Sequence, residues 1–364
     1  MSETDKLRSA LTAKRGRAPL NSTTAISTGS TLLNLCCTDD PRFGFSKGSY
    51  YFLVGDSASG KTWLSMTCFA EAARNKSFDD YRFIFDDVEG GAQMNIEHYF
   101  GKRVARRLES PSVKDGEAVN SHTVEDFYFN ITDAIEGTKP FIYVLDSQDA
   151  LVSVASMKKF DEHKTASRKG KDSAGSYGDG KAKYHSENIR HVLSGLRKTK
   201  SILIIIGQTR DNLGFGFEQK TRSGGKSLKF YASLELWSSV AGKIKKTVRG
   251  KDRTIGITCQ VEVKKNRITG KTGKDRSIKM PIHYDLGIDD VGACVDFLVN
   301  EKHWTKPSKG SVITADDFKF KGIRAKLIAH IEDNNLETQL KKITGRVWRE
   351  IEEESKTKRK PRYE

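Results

Sequence analysis

Cysteine is scarce and does not fall into any ligand pattern. The five residues, Cys36, Cys37, Cys68, Cys259 and Cys294, show no C-x-x-C spacing and no nearby histidine grouping. An odd total with an adjacent pair excludes a readable disulfide framework or zinc site and predicts reduced, mostly buried thiols. His98, His163, His185 and His191 form no ligand spacing either, so none receives a catalytic role. No run approaches the ~18 apolar residues of a membrane span. The opening MSETDKLRSALTAKRGR has no apolar signal segment, so neither export nor membrane insertion is expected. Acidic residues are also in deficit: 47 Asp and Glu face 63 Lys and Arg, a formal charge of +16. With 36% hydrophobic and 30% charged residues this is a globular balance, and the excess of one sign favours a polyanionic partner.

The most informative stretch that is present runs from 50 to 62. Tyr50-Tyr51-Phe52-Leu53-Val54 reads as a buried strand. It leads directly into Gly55-Asp56-Ser57-Ala58-Ser59-Gly60-Lys61-Thr62, the pattern G-x-x-x-x-G-K-T, and Trp63 to Ala73 continues as a helix. Strand, glycine-rich turn and helix together form a phosphate cradle. Gly55 and Gly60 let backbone N–H groups face a diphosphate, and the helix N-terminus adds its dipole. Lys61 would reach the β- and γ-phosphates, and the Thr62 hydroxyl would hold Mg²⁺. ATP and Mg²⁺ are therefore the expected ligands.

Tyr81 to Asp87 reads as a second parallel strand, with Glu89 just past its carboxyl end, where ligands sit in open α/β sheets. Residues 94–108 look helical, 110–125 read as polar linker, and Phe127-Tyr128-Phe129 as a short strand. Phe141 to Leu145 is a further buried strand tipped by Asp146, a carboxylate suited to the Mg²⁺ shell. Residues 155–185 are basic, rich in Gly and Ser and without period, and are read as a long loop. Ser201 to Gly207 is a continuous apolar strand, followed by Gln208, Thr209 and a second basic loop over 210–226. Phe215 and Phe217 stand between glycines in that loop. With Arg210, Lys220, Arg222, Lys226 and Lys229 they are the candidate DNA-binding set, aromatics for stacking and cations for phosphate. Strand-like alternation marks 230–237, 254–264 and 278–284, with a basic hairpin tip at Arg249 to Arg253. Helices are expected over 289–300, 323–332 and 336–353.

These motifs, in this order, resemble the RecA family of homologous-recombination ATPases, and look most like a bacteriophage-type RecA/UvsX-like recombinase. Ile26-Ser27-Thr28-Gly29-Ser30 is similar to the family's opening segment, Gly55 to Thr62 to its Walker A loop, and Leu145-Asp146-Ser147 to Walker B. Phe85 to Glu89 resembles the strand delivering the catalytic glutamate. Gly207-Gln208-Thr209 resembles the segment whose glutamine senses the γ-phosphate. Gly224 to Ser233, GGKSLKFYAS, is the most distinctive likeness. Lys265-Asn266-Arg267 resembles a Lys-Asn-Lys whose two cations reach a neighbouring subunit's γ-phosphate; Arg changes the donor geometry at the second position. Three departures stand out: the longer basic first loop, Trp63 in place of a small hydroxyl residue, and a basic C-terminal tail where bacterial RecA carries an acidic one.

The resemblance implies an α/β RecA-like core with a mostly parallel sheet. It assigns 1–30 to a basic N-terminal segment and subunit linker, 31–286 to the core with DNA loops at 155–185 and 210–226, 287–352 to a small C-terminal helical domain, and 353–364 to a basic tail. It implies catalytic roles for Glu89, Lys61, Gln208, Lys265 and Arg267, and a cytoplasmic enzyme that hydrolyses ATP on DNA. Single- and double-stranded DNA, a homo-oligomeric helical filament, and single-strand-binding or mediator proteins are the partners implied. Two alternatives stay open: a RecA-fold DNA motor that forms rings, and a DNA-coating mediator that binds ATP with little turnover.

Overall fold

The computed structural model describes residues 2, 4–5, 20–169, 180–211, 220–222, 225–307, 310–360 and 362. In chain order the first elements are β1 (Ala25–Ile26), α1 (Thr31–Thr38), β2 (Phe45–Ser46), β3 (Ser49–Gly55), α2 (Lys61–Ala73) and β4 (Arg82–Asp87). Two short helices follow, α3 (Ile96–Phe100) and α4 (Lys102–Arg107), then β5 (Leu108–Glu109), β6 (Ser112–Lys114) and β7 (Glu117–Val119). The middle of the chain holds α5 (Val124–Glu136), β8 (Phe141–Asp146), α6 (Val154–Arg168), α7 (Lys181–Thr199), β9 (Ile202–Asp211), β10 (Lys220–Arg222) and α8 (Gly225–Tyr231). The remainder comprises β11 (Leu234–Val248), β12 (Lys251–Asn266), β13 (Ser277–His283), β14 (Gly287–Ile288) and α9 (Asp290–Asn300). After these come β15 (Val312–Ala315), β16 (Phe320–Ile323), α10 (Arg324–Asp333) and α11 (Glu337–Glu354).

Period-two alternation decides which face each strand residue covers. Tyr51 and Leu53 of β3, Ile142 and Val144 of β8, and Ile202, Ile204 and Ile206 of β9 enter one core. Tyr50, Phe52 and Val54, Phe141, Tyr143 and Leu145, and Leu203 and Ile205 enter the core on the opposite face. The result is a ten-stranded sheet in the order β14-β13-β12-β11-β3-β9-β8-β4-β5, with β10 paired to β9. From β11 to β5 the neighbours run parallel; β12, β13 and β14 continue it antiparallel. The carboxyl ends of β3, β4, β8 and β9 therefore open on one edge. A third core gathers Cys294, Leu298, Trp304, Ile313, Leu327, Leu340 and Val347 around the C-terminal helices and the β15–β16 hairpin. Among the described residues no helix is long and apolar enough to cross a membrane.

Several local expectations are corrected. Residues 127–129 belong to helix α5 rather than a strand. Thr123 and Asp126 form a reciprocal capping box, and Phe127, Tyr128, Ile131 and Ala134 bury one face while Phe129 stays exposed. The polar stretch 110–125 contains the β6–β7 hairpin. Helix 94–108 is two short helices divided at Gly101, whose φ is 89°. The loop expected over 155–185 is helical at both ends, in α6 and α7, with 170–179 outside the described residues. The strand expected over 230–237 begins only at Leu234, because most of GGKSLKFYAS coils into α8. A three-residue sheet segment, β10, also interrupts the loop expected over 210–226.

The last helix is fastened to the core by charge. Arg276 on the sheet side, 5% exposed, donates to Asp39 at 2.6 Å and to Glu352 of α11 at 2.5 Å, with its guanidinium 5.0 Å over the Trp348 ring. Lys271 reaches the same two carboxylates. Burial alone would raise the Asp39 pKa, but hydrogen bonds from Arg276, Lys271 and Trp348 outweigh it and hold the group below its ordinary range. Arg276→Ala removes one of the two shared cations from carboxylates that are only partly buried and keep Lys271, so urea unfolding should show a loss of about 2 kcal/mol.

Candidate functional site

The turn between β3 and α2 is shaped by close approach. A Cβ on Gly55 would lie 2.2 Å from the Ser238 carbonyl oxygen, and one on Gly60, at φ +82°, would lie 2.5 Å from Ile282 Cδ1. Only glycine fits at either position. Ser59 Oγ donates to the Asp56 carbonyl at 2.8 Å, and Thr209 Oγ1 to the Asp56 carboxylate, tying the loop to the end of β9. Ser57 and Ala58 form its exposed crest. The Lys61 ammonium is buried and donates to the carbonyls of Gly55 at 2.9 Å and Asp56 at 2.6 Å. Burial pushes its pKa down, and the carboxylates of Asp146, Glu89, Asp56 and Asp149 oppose that shift.

Thr62 Oγ1 donates to Asp146 Oδ2 at 2.6 Å, so the two residues expected at the metal share one spot at the tips of α2 and β8. This oxygen pair suits Mg²⁺, which takes one or two protein oxygens and fills its shell with phosphate and water. Among the described residues no cluster of three or more His, Cys, Asp or Glu side chains could hold a metal alone, so the rest of the shell would come from nucleotide and water. Burial raises the Asp146 pKa to about 6, against the lowering effect of the Thr62 hydrogen bond. The folded state thus favours the protonated acid. In the metal-free protein this group's contribution to stability declines as pH rises from about 4 to about 6. Affinity for a metal held by Asp146 would run the other way, because the proton would compete for the same oxygen. Nucleotide titrations with Mg²⁺ should show affinity about fourfold weaker at about pH 5.5 than at about pH 7.5.

Glu89 lies in the turn after β4, closed where Asp87 accepts the N–H groups of Gly91 and Ala92, each at 3.1 Å. Its Oε1 accepts from Gln208 Nε2 at 2.9 Å and from the Ser147 hydroxyl. Residues on three strand ends, 58 and 119 positions apart in the chain, thus meet at one carboxylate. Beneath them Asp86 is fully buried, accepting from Ser121 N, Ser121 Oγ and the Tyr143 hydroxyl at 2.8, 2.6 and 2.7 Å. Burial raises its pKa despite these bonds.

Asp149 was not singled out in the sequence. Its Oδ2 accepts the Gln208 backbone N–H at 2.6 Å and the Gln148 side-chain amide at 2.8 Å. Lys181, at the start of α7, donates to the Leu151 carbonyl at 2.8 Å. The segments leaving β8 and β9 therefore share one anchor. Neither Ser147 as a partner of Glu89 nor Asp149 carries a local signal, because both contacts depend on strand register.

Lys265 and Arg267 lie away from this cluster. Lys265 pairs with Glu235, which pairs with Phe52, and Arg267 bonds to Ser233, which bonds to Tyr50, so the two cations sit two strands across from the middle and the start of β3 rather than near Gly55. Both donate to the Phe230 carbonyl at 2.6 Å, and Lys265 also bonds the Lys229 carbonyl. Lys229 pairs with the buried Glu235 at 3.7 Å, and Lys226 is exposed on α8. Arg210, Lys220 and Arg222 are placed by backbone pairing alone, and Phe215 and Phe217 lie outside the described residues, as do Lys14, Arg15 and Arg17. Helix α6 has no buried residue and leaves Met157 and Phe160 exposed among lysines. Trp63 packs edge-on to Tyr99, with ring centroids 4.8 Å apart, and lies against Gly287.

The chain is similar to known proteins over most of its length. The family profile for the RecA N-terminal domain matches residues 12–289. The RecA protein of Cytophaga hutchinsonii is 29% identical over 280 residues, 74% of this chain and 67% of the relative. That of Chlorobaculum parvum is 28% identical over 290 residues, 76% of this chain and 70% of the relative. A crystal structure of the RadB recombinase superposes with TM-score 0.45 and 16% identity, covering 73% of this chain and 99% of that one.

Proposed function

Because this chain belongs to the RecA family, we propose that it is an ATP-dependent DNA recombinase, hydrolysing ATP when bound to single-stranded DNA and promoting homologous pairing and strand exchange. The observation that carries this reading is the 2.9 Å hydrogen bond between Gln208 and Glu89. It joins a candidate general base directly to the root of the basic segment that follows β9. Occupancy of the nucleotide site can then alter the strand end from which that segment departs.

In this mechanism the loop 55–62 wraps the ATP phosphates and Lys61 exchanges its loop carbonyls for phosphate oxygens. Mg²⁺, held through Thr62 and Asp146, would neutralise charge on the phosphates. Glu89 accepts the proton of the attacking water, and Ser147 orients the carboxylate. Gln208 releases Glu89 and turns to the γ-phosphate, pulling on Asp149 and on both segments anchored there. Lys265 and Arg267 of a neighbouring copy complete the charge stabilisation, which makes assembly into a helical filament part of the chemistry. The enzyme would act in the cytoplasm, and the phage-type affinity belongs to the same proposal, resting on the basic tail and the basic middle segment.

The test is ATP turnover with and without single-stranded DNA, with negative-stain imaging of the same samples. DNA-stimulated turnover with ATP-dependent helical filaments is expected. Closed rings would move the assignment to a DNA motor, and DNA coating without turnover to a mediator.

A further inference from the structure

Strands β11 and β12 outgrow the sheet. Pairing of β11 with β3 ends at Ser238, opposite Gly55, and pairing of β12 with β13 ends at Gly256. The two strands continue alone to a turn at Arg249 and Gly250, both at positive φ (52° and 73°). Gly256 lies opposite Ile244, so the part paired to no third strand runs from Ile244 to Val248, on the order of 13 Å. It leaves the sheet at the edge that also carries the nucleotide site and the segments following β8 and β9, because Gly55 pairs with Gln208.

Its composition is one-sided. Lys243, Lys245, Lys246, Arg249, Lys251 and Arg253 face a single carboxylate, Asp252, and that group accepts from Thr247 across the strands at 2.8 Å. All six cations are exposed, and among the described residues none forms an ion pair. Lys246 stands directly opposite Arg253, a like-charge pair that destabilises an antiparallel ribbon unless an anion lies over it. Arg249 occupies a left-handed turn position where Asn or Gly is the favoured choice. Protection of an exposed edge explains charge of either sign, alternating or mixed. It does not explain six cations with one acid in a segment where repulsion is built into the register.

We propose that the ribbon tip, through Lys245, Lys246, Arg249, Lys251 and Arg253, is a contact surface for the phosphate backbone of DNA, separate from the segments 155–185 and 210–226. The surface has cations on both faces and no aromatic side chain, so it binds without base readout, by counterion release. This proposal rests on the reading of the chain as a DNA-dependent ATPase.

The experiment uses the full chain with ATP and measures affinity for a labelled oligothymidine and a labelled duplex across a salt series. The variant carries Lys245→Gln, Lys246→Gln, Arg249→Asn, Lys251→Gln and Arg253→Gln. A second variant, with Lys245→Arg, Lys246→Arg and Lys251→Arg, keeps the charge. The neutral variant should lose about tenfold or more in affinity at about 0.1 M salt for at least one of the two DNAs, with a log–log salt slope shallower by about three. Its turnover without DNA should match the parent, its thermal melt should be equal to the parent's or higher because the Lys246–Arg253 repulsion and the Arg249 strain are relieved, and the charge-keeping variant should bind as the parent does. Parental affinity and slope in the neutral variant would overturn the proposal while leaving the DNA-dependent ATPase reading intact. A charge-keeping variant as weak as the neutral one would overturn it too. If the parent binds neither DNA, both readings fall. Loss of binding to phosphatidylserine vesicles with DNA affinity unchanged would assign the ribbon to a membrane surface instead.

Discussion

Glu89→Ala should hydrolyse ATP about a hundred- to ten-thousand-fold more slowly than the parent, yet still bind single-stranded DNA when ATP is present. The size follows from the proposed role: a positioned base would remove the proton of the attacking water, and no neighbour could replace it. Asp146 is committed to Thr62 at 2.6 Å, Asp149 to the Gln208 backbone, and Asp86 is buried beneath the site. Glu89→Gln separates two effects. It keeps a side chain able to meet Ser147 and Gln208 while removing the basic oxygen, so it should be as slow as the alanine variant but retain the ATP-dependent change in DNA affinity. Single-turnover hydrolysis alongside DNA-binding titrations reads both quantities. Parental turnover in either variant would remove Glu89 from the chemistry.

Lys265→Ala and Arg267→Ala should each lower turnover by about a thousandfold, the magnitude associated with a cation supplied to a transferring phosphoryl group. Geometry says where that cation must come from. The Arg267 backbone N–H bonds to Ser233, whose own N–H bonds to Tyr50, so within one chain it lies roughly 17 Å of strand from Gly55. No rotamer bridges that gap, so in the proposed mechanism the cation would come from a second copy arranged head to tail. Mixing tests this directly. Glu89→Ala and Arg267→Ala proteins are each inactive alone, but in an equal mixture about a quarter of the interfaces would join an intact Glu89 to an intact Arg267. Turnover should reappear on mixing. If it does not, while each variant still assembles with the parent, the two cations only brace α8 through the Phe230 carbonyl.

Much of the central sheet is legible in the sequence because its signals are local. Tyr50 to Val54, Phe141 to Leu145 and Ser201 to Gly207 are apolar runs that only a sheet covered on both faces can bury. Asp146 at a strand tip is likewise a statement about consecutive residues. The misreadings share a cause. Phe127-Tyr128-Phe129 has no period of its own, and its helix is set by the capping box and by Ile131 and Ala134 beyond it. Helix α6 buries nothing, so no apolar stripe marks it. Helix-favouring Ala, Met, Lys and Glu residues and the Ser153 cap hold it instead.

What the sequence determined by itself is the phosphate loop, since the spacing of Gly55, Gly60, Lys61 and Thr62 is short-range geometry that a strand and a helix only need to flank. The tertiary structure alone decided the company that each functional side chain keeps. Glu89 meets Gln208 and Ser147, and Asp149 grips Gln208, because β4, β8 and β9 stand in one particular parallel register. Lys265 and Arg267 are carried away from Gly55 by the register of β12 on β11 and of β11 on β3. Spacing along the chain does not encode such distances. They arise when alternating faces are buried together, since a slip of one residue would carry every side chain of a strand into the opposite core, whose space is shaped for other residues.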